Sequence, residues 1–390
     1  MKLLEQLPSL KGLATPFYYY DMDLFLSTVR TASQAAAECG IKIHYALKAN
    51  YEEKLLKAMA QAGFGADCVS SAEILLAREA GFDMQSVVFA GVGKTDCEIR
   101  TALQCGIGAF NVESLEELAV IDGIASGLGV KAPVCLRINP NIDAHTHKYV
   151  TTGLEDNKFG ISDYLFDEAV EAVKSSANIE FKGLQFHIGS QITDVEEVFG
   201  LECRRAGEIC AYFRSKGLDV KILDLGGGLG VDYEHPDRNP IPDFKTWFST
   251  ISKGMKDMGD VEIHVEPGRS LVCQCASLVS RVTYVKKART KAFVILDAGM
   301  GHLIRPALYG SFHKIENLDA QTLGYAADMV YDVVGPVCES ADVFASDRLM
   351  QRTVRGDMVA IRSAGAYGSV MSSRYNLRPE ACAVFSDELK

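Results

Sequence analysis

The chain of 390 residues is 48% hydrophobic and 23% charged, as is typical of a globular protein, and its formal net charge of −11 argues against nucleic-acid binding because no basic surface remains to neutralise phosphates. No stretch approaches the ~20 apolar residues of a membrane helix, and an acid stands at Glu5, where a signal peptide would need an apolar run. Since the eleven cysteines lack the spacing of a disulfide framework, we expect reduced thiols and predict a cytoplasmic protein that binds neither nucleic acid nor membrane.

From residue 21 to about residue 269, helical and strand-like patterns alternate along the chain. Amphipathic helical patterns such as 24–39 lie between most of the strand-like segments. Eight short apolar segments predict strands at 41–47, 65–69, 87–90, 109–112, 134–138, 181–186, 222–225 and 262–265. Eight strands separated by helices favour a closed parallel (β/α)8 barrel, similar to a TIM barrel, over an open sheet. We assign residues 22–270 to this barrel.

The pattern changes after residue 269, where β-rich segments follow one another without long helices. These segments lie at 272–285, 293–297, 331–334, 343–345 and 358–361. They predict a second, mostly antiparallel β domain over residues 271–390. The aromatic run at 17–20 precedes the first barrel helix and is expected to add a strand to this domain, so that residues 1–21 contribute to it.

Chemically useful side chains recur where the predicted barrel strands end, which is the functional face of a parallel barrel. They are Lys48, Asp67, Arg137, His187 with Ser190, the glycines 226–228, and Glu266 to Arg269. A lysine in an apolar barrel can lose its proton and form a Schiff base with a carbonyl, although an exposed ammonium is the commoner fate of a single lysine. Taken alone, Asp67, Arg137 and His187 would more often be structural.

The run of three glycines at 226–228 indicates a phosphate site. Three glycines let the backbone approach a ligand closely and present N–H groups to it. Their spacing is not that of a dinucleotide-binding motif, and Gly268, one strand later, could complete the site. Glu266 adds a second indication, because a carboxylate beside a pyridine nitrogen keeps that nitrogen protonated. A lysine, a glycine-lined phosphate site and this acid together predict a site for pyridoxal 5'-phosphate.

Several ordered motifs resemble one enzyme family. They occupy 45–50 (Tyr-Ala-Leu-Lys-Ala-Asn), 187–191, 224–230, 266–269, 297–300, 305–310, 335–340, 364–367 and 375–379. The chain resembles the diaminopimelate decarboxylases, of the pyridoxal phosphate-dependent family that also holds ornithine and arginine decarboxylases and, more distantly, alanine racemase. The likeness runs from about residue 15 to residue 379. It implies a barrel followed by a β domain.

The resemblance also implies roles for single residues in cofactor binding. Lys48 carries the cofactor as a Schiff base, His187 stacks on its ring, and Glu266 binds the ring nitrogen. The phosphate is held by Ser190, Gly228, Gly268, Arg269 and Tyr367. We include Asp67 and Arg137 in the cofactor-binding set, since they too end barrel strands. The catalytic residues are Lys48, His187 and Cys338.

Substrate binding follows from the same resemblance. The distal carboxylate is bound by Arg269, Arg305 and Tyr309 with Tyr367, and Glu339 takes the distal ammonium. Cys338 acts as the proton donor. In this family Cys338 and Glu339 reach the site from the partner subunit, which implies a homodimer with shared active sites.

The predicted reaction is decarboxylation of meso-2,6-diaminopimelate to L-lysine and carbon dioxide, the last step of lysine biosynthesis. The alternative is a decarboxylase of the same family that acts on another amino acid, but a diamine-producing enzyme has less use for Arg305 and Tyr309. A racemase would be served by a basic group at the pyridine nitrogen, which Glu266 is not. A non-catalytic homologue would have lost Lys48 or Cys338, and both are present.

Three further features are local: a departure from the family pattern, two candidate metal motifs and a polar segment. After 297–300 the family commonly has a polar or acidic pair, whereas Gly301-His302 stands here. The spacings His145-Thr146-His147 and Cys273-Gln274-Cys275 could suit a metal, but neither has the further ligands of a closed site, so we predict no metal. Residues 142–160 are predicted to form a polar flap near the mouth of the active site.

Overall fold

The computed structural model describes residues 2–142 and 158–389. His145, His147 and most of the predicted flap lie outside the described residues. The strands are β1 (Phe17–Tyr20), β2 (Ile41–Ala46), β3 (Gly65–Cys68), β4 (Val87–Phe89), β5 (Ala109–Val112), β6 (Ala132–Arg137), β7 (Ile179–Gln185), β8 (Ile222–Asp224), β9 (Glu262–Val265), β10 (Ala276–Lys287), β11 (Ala292–Leu296), β12 (Ile315–Asn317), β13 (Ala327–Val334), β14 (Val343–Gln351), β15 (Met358–Ile361) and β16 (Cys382–Phe385).

The α-helices vary from one turn to more than five turns. They are α1 (Lys2–Glu5), α2 (Leu7–Leu10), α3 (Met22–Cys39), α4 (Glu53–Gln61), α5 (Ser71–Ala80), α6 (Asp96–Cys105), α7 (Leu115–Leu128), α8 (Phe166–Ser175), α9 (Val195–Ser215), α10 (Phe244–Met255), α11 (Arg269–Val272), α12 (Arg305–Tyr309) and α13 (Leu318–Thr322). The described chain divides into two compact units, the barrel unit (29–230 and 243–268) and the β unit (1–28, 231–242 and 269–390).

The barrel unit contains the predicted closed barrel. Strands β2 to β9 pair in chain order, every pair is parallel, and β9 closes the barrel by pairing with β2. Inside, the small apolar side chains of Val88, Ala109 and Cys135 pack together with Ile222. The predicted (β/α)8 fold is therefore confirmed. Because all eight strands are parallel, their C-terminal ends open on one face.

The β unit is built around one mixed sheet. Its strand order is β12-β15-β10-β11-β13-β14, and β1 pairs with both β10 and β16. Most pairs are antiparallel, while β11 with β13 and β1 with β16 are parallel. The aromatic run 17–20 therefore forms the predicted strand, and its Phe17 and Tyr19 pack on Leu3, Leu7 and Leu10 of α1 and α2. A mostly antiparallel β domain is confirmed.

Two details differ from the sequence-based expectation. The predicted strand 272–285 starts later, at Ala276, because the turn of α11 precedes it and Cys273 N–H donates to Arg269 O at 2.9 Å. Residues 231–242, assigned above to the barrel, pack in the β unit. The reason is polar: the Asp237 carboxylate forms ion pairs with Lys314 and Arg362 at 3.0 Å each.

None of the helices in the described ranges has both the length and the apolar character needed to cross a bilayer. The eleven cysteines are all free thiols. Those of Cys273 and Cys275, weighed above as metal ligands, donate instead to the backbone carbonyls of Ser363 and Val272, each at 3.1 Å.

Two buried histidines in the barrel predict acid sensitivity. The rings of His44 and His264 stack at 4.7 Å. Burial lowers the pKa of both, and the charges of His264 and Lys42 lower the pKa of His44 further. Below about pH 6.5 the two histidines therefore bind protons in the unfolded chain but remain neutral in the folded chain. The free energy of unfolding consequently falls as the pH falls. Each histidine can contribute up to about 1.4 kcal/mol per pH unit.

Replacing His44 by phenylalanine should keep the stacking and remove one titrating group. We expect the difference between the melting temperatures at about pH 7.5 and about pH 5.5 to be smaller in His44→Phe than in the wild type. The exposed His235 provides the control, since His235→Gln should leave that difference unchanged. An equal difference in all three proteins would contradict the interpretation.

Candidate active site

Lys48 lies in a single 3-10 turn, Leu47–Ala49, directly after β2. Its Nζ is 3.1 Å from Oδ2 of Asp67, which ends β3 and is fully buried. Asp67 Oδ1 is also buried and has no hydrogen-bond partner among the described residues. The Lys48 side chain remains 40% exposed. The buried Asp67 carboxylate thus fixes the position of the Lys48 amine, which a ligand can still reach.

Glu266 follows β9 and is buried, with both carboxylate oxygens hydrogen-bonded. Asn111 Nδ2 donates to Oε1 at 3.1 Å and Gln185 Nε2 donates to Oε2 at 3.0 Å. Burial, followed by the carboxylates of Asp224 and Asp67, raises the pKa of Glu266 well above its ordinary value. The two amide donors can stabilise the carboxylate form, and no cation forms an ion pair with Glu266 among the described residues.

Asp224 is the acid next to Glu266 in the barrel. It ends β8, and its Oδ1 accepts the Gly226 N–H at 2.8 Å. Burial raises the pKa of Asp224 to about 7, against the effect of this hydrogen bond. One proton shared between Asp224 and Glu266 would relieve the repulsion between the two acids.

The glycine run after β8 has a backbone that larger residues could not adopt. Gly226 and Gly228 have φ of 65° and 115°, and a Cβ at Gly226 or Gly227 would overlap the carbonyl oxygens of Phe186 or Glu266. Gly227 N–H donates to His187 Nδ1 at 3.3 Å. The loop is therefore a close-packed cradle with no space for side chains at Gly226 and Gly227, so a ligand bound there would lie against backbone.

His187 is neutral in this environment. Burial lowers its pKa well below the ordinary value, and the cations Lys48 and Arg137 lower it further. Because Nδ1 accepts a hydrogen bond from the Gly227 N–H, the ring proton lies on Nε2. A neutral imidazole can stack on an aromatic ring without adding charge.

Two further predicted residues flank the loops of this face. Ser190 is half-buried in the segment that Ile192 N–H ties to Gly228 O at 2.9 Å. At Gly268 an added Cβ would lie 3.1 Å from the Cβ of Ala49, beside the turn that holds Lys48. Both positions are thus close-packed parts of the barrel unit.

Arg137, at the end of β6, forms a buried ion pair. Its Nη1 is 2.6 Å from Glu113 Oε1, its guanidinium lies over the Phe159 ring at 4.6 Å, and Glu113 Oε2 accepts the Gly160 N–H at 2.9 Å. A direct contact of Arg137 with a cofactor stays a prediction.

In the β unit, Arg269 and Arg305 both contact Tyr233. Arg269 Nη1 donates to the Tyr233 hydroxyl at 2.6 Å and lies 5.1 Å from the centre of the Tyr367 ring. Arg305 lies over the Tyr233 ring at 5.4 Å, and its distance to the Tyr309 ring is 6.0 Å. Four of the five predicted substrate-binding residues of this unit thus form one cluster around Tyr233.

Arg305 is held by neutral acceptors. His313 Nδ1–H donates to Arg362 O at 2.9 Å, so its Nε2 is free of a proton and accepts from Arg305 Nε at 3.4 Å. Burial and Arg305 itself lower the pKa of His313 to about 3. Ser311 Oγ accepts from Arg305 Nη2 at 3.3 Å. Within the described residues no carboxylate forms an ion pair with Arg305, which is only 5% exposed.

Cys338 and Glu339 stand apart from this cluster. Both are exposed on the loop between β13 and β14. Cys338 N–H donates to Asn376 Oδ1 at 3.1 Å, and among the described residues neither Cys338 nor Glu339 has a hydrogen bond to the arginine cluster. Within the β unit, the structure does not bring them to the other predicted residues.

Sequence reasoning missed four residues of these sites. Asn111 and Gln185 are each the last residue but one of a predicted strand, and could have been found by reading the last residues of every strand for polar groups. Tyr233 and His313 lie in loops, and no pattern marks them. Their roles depend on contacts between segments that are distant in sequence.

The barrel residues fit pyridoxal 5'-phosphate. Among the described residues, the buried Glu266 carboxyl has two amide donors and no ion-pair partner, and Asp67 Oδ1 has no hydrogen-bond partner. The glycine cradle has no room for side chains. Glu266 can thus pair with a pyridinium nitrogen, Asp67 with a polar substituent of the ring, and the glycine cradle with a phosphate.

Comparison with known proteins agrees with this chemistry. Residues 25–273 match the family model described as pyridoxal-dependent decarboxylase, pyridoxal binding domain. The fold and the site thus define a pyridoxal-dependent decarboxylase, with pyridoxal 5'-phosphate as its cofactor.

Individual relatives show to which group of pyridoxal-dependent decarboxylases the chain belongs. A diaminopimelate decarboxylase of Bacteroides thetaiotaomicron is 46% identical over 390 residues, the whole of both chains. One from Helicobacter pylori strain J99 is 42% identical over 94% of this chain and 89% of its own. The crystal structure of diaminopimelate decarboxylase from Helicobacter pylori complexed with L-lysine has a TM-score of 0.87 at 40% identity, covering 96% of this chain and 92% of that one. The chain belongs to the diaminopimelate decarboxylase family.

Proposed function

We propose that this chain decarboxylates meso-2,6-diaminopimelate to L-lysine and carbon dioxide, the last step of lysine biosynthesis. The observation that carries the proposal is Arg305, a buried cation without a carboxylate partner among the described residues. A buried guanidinium without an anion is costly. Diaminopimelate offers a second carboxylate to pair with it, whereas ornithine, arginine and lysine do not. The relatives named diaminopimelate decarboxylase support the same substrate.

The barrel residues would hold the cofactor. Lys48 would bind its carbonyl end covalently, His187 would stack on the ring and Glu266 would bind the ring nitrogen. Ser190, Gly228 and Gly268 would bind the phosphate, and Arg269 and Tyr367, which belong to the β unit, would add contacts to it. When bound, pyridoxal 5'-phosphate accepts the electron pair that carbon dioxide leaves behind.

Three side chains of the protein, Glu266, Asp67 and Cys338, bind or donate protons and balance charge in the proposed reaction. Glu266 holds a proton on the ring nitrogen, and the amides of Asn111 and Gln185 keep its two oxygens aligned. Asp67 keeps the Lys48 ammonium in place when that amine is unbound. Cys338 donates the proton that replaces carbon dioxide, which makes it the acid of the reaction.

Binding of the distal end of the substrate sets specificity. Arg269, Arg305, Tyr309 and Tyr367 take the distal carboxylate, and Glu339 takes the distal ammonium. A substrate without the carboxylate would leave the arginines unpaired, so a large discrimination is expected.

We further propose a cytoplasmic homodimer in which Cys338 and Glu339 complete the partner's site. The exposure of both residues, together with the nearby Leu377 at 93% exposed, supports a surface that a second copy covers. The eleven free cysteines suit a reducing compartment.

Mixing two inactive variants tests the shared sites. Lys48→Ala and Cys338→Ala subunits should together recover about a quarter of wild-type activity, because roughly half of the dimers are mixed and one of the two sites in each has neither defect. Exchange of subunits is first verified with tagged chains. If exchange occurs and activity does not return, each site is built from a single chain.

Glu266→Gln tests the ring-nitrogen contact. The amide keeps the size and one acceptor but cannot hold the ring nitrogen protonated, so the cofactor should stay bound while turnover falls by several orders of magnitude. The measurement is the visible absorbance of the cofactor alongside the rate of carbon dioxide release. As a control, Glu262→Gln at the exposed start of β9 should change neither. Near-normal turnover of Glu266→Gln would refute the role.

Substrate preference tests the proposed function as a whole. The kcat/KM for meso-diaminopimelate should exceed those for L-ornithine, L-arginine and L-lysine by about 10⁴-fold or more, since a site built for a polar group rejects analogues that lack it. Comparable values for ornithine or arginine would favour the alternative decarboxylase.

A further inference from the structure

We propose that Asp342 is a positioning residue that fixes the loop carrying Cys338 and Glu339. The inference rests on the proposed function, in which these two residues act on the substrate. Asp342 lies just before β14, is 3% exposed and contacts backbone groups of two separate loops. Its Oδ2 accepts the Val337 N–H at 2.7 Å, and its Oδ1 accepts the Met300 N–H at 2.6 Å.

The loop 335–342 closes around this carboxylate. Gly335 N–H donates to Asp342 O at 3.0 Å, and Asp342 N–H donates to Glu339 O at 3.1 Å. A Cβ at Gly335 would overlap the Asp342 carboxylate, and one at Gly299 would lie 2.9 Å from its Oδ2. The side chain therefore fills the interior of the loop, while Cys338 and Glu339 point outward from it.

The family departure noted above extends the same network. Gly299 N–H donates to His302 Nδ1 at 3.0 Å, so the His302 Nε2–H donates to Pro379 O at 2.9 Å. Ser373 N–H donates to Gly301 O at 2.8 Å, and a Cβ at Gly301 would lie 2.9 Å from Ser373 O. Gly301 and His302 thus tie the 297–302 loop to the C-terminal segment.

Cys338 is linked to that segment as well, through its N–H bond to Asn376 Oδ1. The Cys338 backbone is therefore fixed from two sides, by Asn376 directly and by Asp342 through Val337. Burial raises the pKa of Asp342, and the Val337 and Met300 N–H groups oppose this rise, so the carboxylate depends on both bonds. Removing one acceptor should loosen Cys338 and Glu339 together.

Asp342→Asn is the direct test, because it places an NH₂ group against one of the two backbone donors. We expect kcat/KM for meso-diaminopimelate to fall about 10–100-fold, with cofactor absorbance unchanged. Amide hydrogen exchange should accelerate in 335–342 and 297–302 but not in the barrel. The matched control is Asp332→Asn, another buried acid of this unit that accepts a backbone N–H, from Asp347 at 2.8 Å. It should keep kcat/KM within about twofold.

Subunit mixing separates positioning from general destabilisation. Asp342→Asn subunits should restore activity to Lys48→Ala subunits, because each chain supplies what the other lacks. They should not restore activity to Cys338→Ala subunits, because Asp342 and Cys338 lie on the same loop and the two defects affect the same part of the site. Gly335→Ala, which pushes into the carboxylate, should give the same defect, and the double variant should be no worse than either single variant. This second variant keeps the test valid if Asp342→Asn folds poorly.

Three results would overturn the proposal: unchanged kcat/KM in Asp342→Asn, unchanged amide exchange in 335–342, or an activity loss that Asp332→Asn reproduces. If the wild type does not act on meso-diaminopimelate, the proposed function fails instead, and amide exchange in Asp342→Asn still decides whether this carboxylate fixes the loop.

Discussion

Lys48→Ala should abolish decarboxylation, a loss of roughly 10⁴-fold or more, and should remove the visible cofactor absorbance that borohydride reduces in the wild type. Lys48 is the amine that Asp67 locates on the functional face of the barrel, and alanine has no nitrogen to bind a carbonyl. The fold should survive, because the Lys48 side chain is 40% exposed. Absorbance spectra and carbon dioxide release before and after dialysis against cofactor measure both effects.

Lys42 gives the matched control. It lies on β2, the strand that leads into the turn of Lys48, and its partner, Glu262, is exposed. Lys42→Ala should retain the absorbance, and mass spectrometry of the reduced wild type should find the added pyridoxyl mass on the peptide with Lys48. A modified Lys42, or a band that survives in Lys48→Ala, would refute the assignment.

Arg305→Met should weaken substrate binding with little effect on the cofactor. A buried arginine–carboxylate contact costs about 2–5 kcal/mol when one partner is truncated, which corresponds to a rise in KM of roughly 30-fold to several thousand-fold. His313 and Ser311 accept from two N–H groups of Arg305, so the remaining donors are those that a carboxylate can use. Saturation kinetics with meso-diaminopimelate measure the change.

Two variants control for the loss of a cation as such. Arg305→Lys keeps the charge but not the planar donor geometry and should fall between the wild type and Arg305→Met. Arg281→Met removes an arginine of β10 that donates to Gly356 O and should leave KM unchanged. If Arg305→Met has a normal KM, the distal carboxylate binds elsewhere.

The barrel could be predicted because its information is local. Each strand is a short apolar segment between helical patterns, and the rule that parallel barrels work at their C-terminal strand ends selects Lys48, Asp67 and Glu266 without any knowledge of contacts. The strand at 17–20 was predictable for a similar reason, since three consecutive tyrosines after a phenylalanine favour β structure.

The β unit was predictable only in outline. Strands β12 and β16 are short and carry little pattern, and α11 interrupts what reads as one long strand. The contacts that hold Arg305 come from Tyr233 and His313, and those that hold Cys338 come from Asp342 and Asn376. Such contacts join loops that are distant in sequence, so only the folded chain reveals them.

The identity of the products tests the proposed function most directly. Purified enzyme loaded with pyridoxal 5'-phosphate should convert meso-diaminopimelate to L-lysine and carbon dioxide in equal amounts, as measured by chiral amino-acid analysis and gas release in one reaction. Carbon dioxide and a diamine from ornithine, arginine or lysine, with meso-diaminopimelate left unchanged, would contradict it.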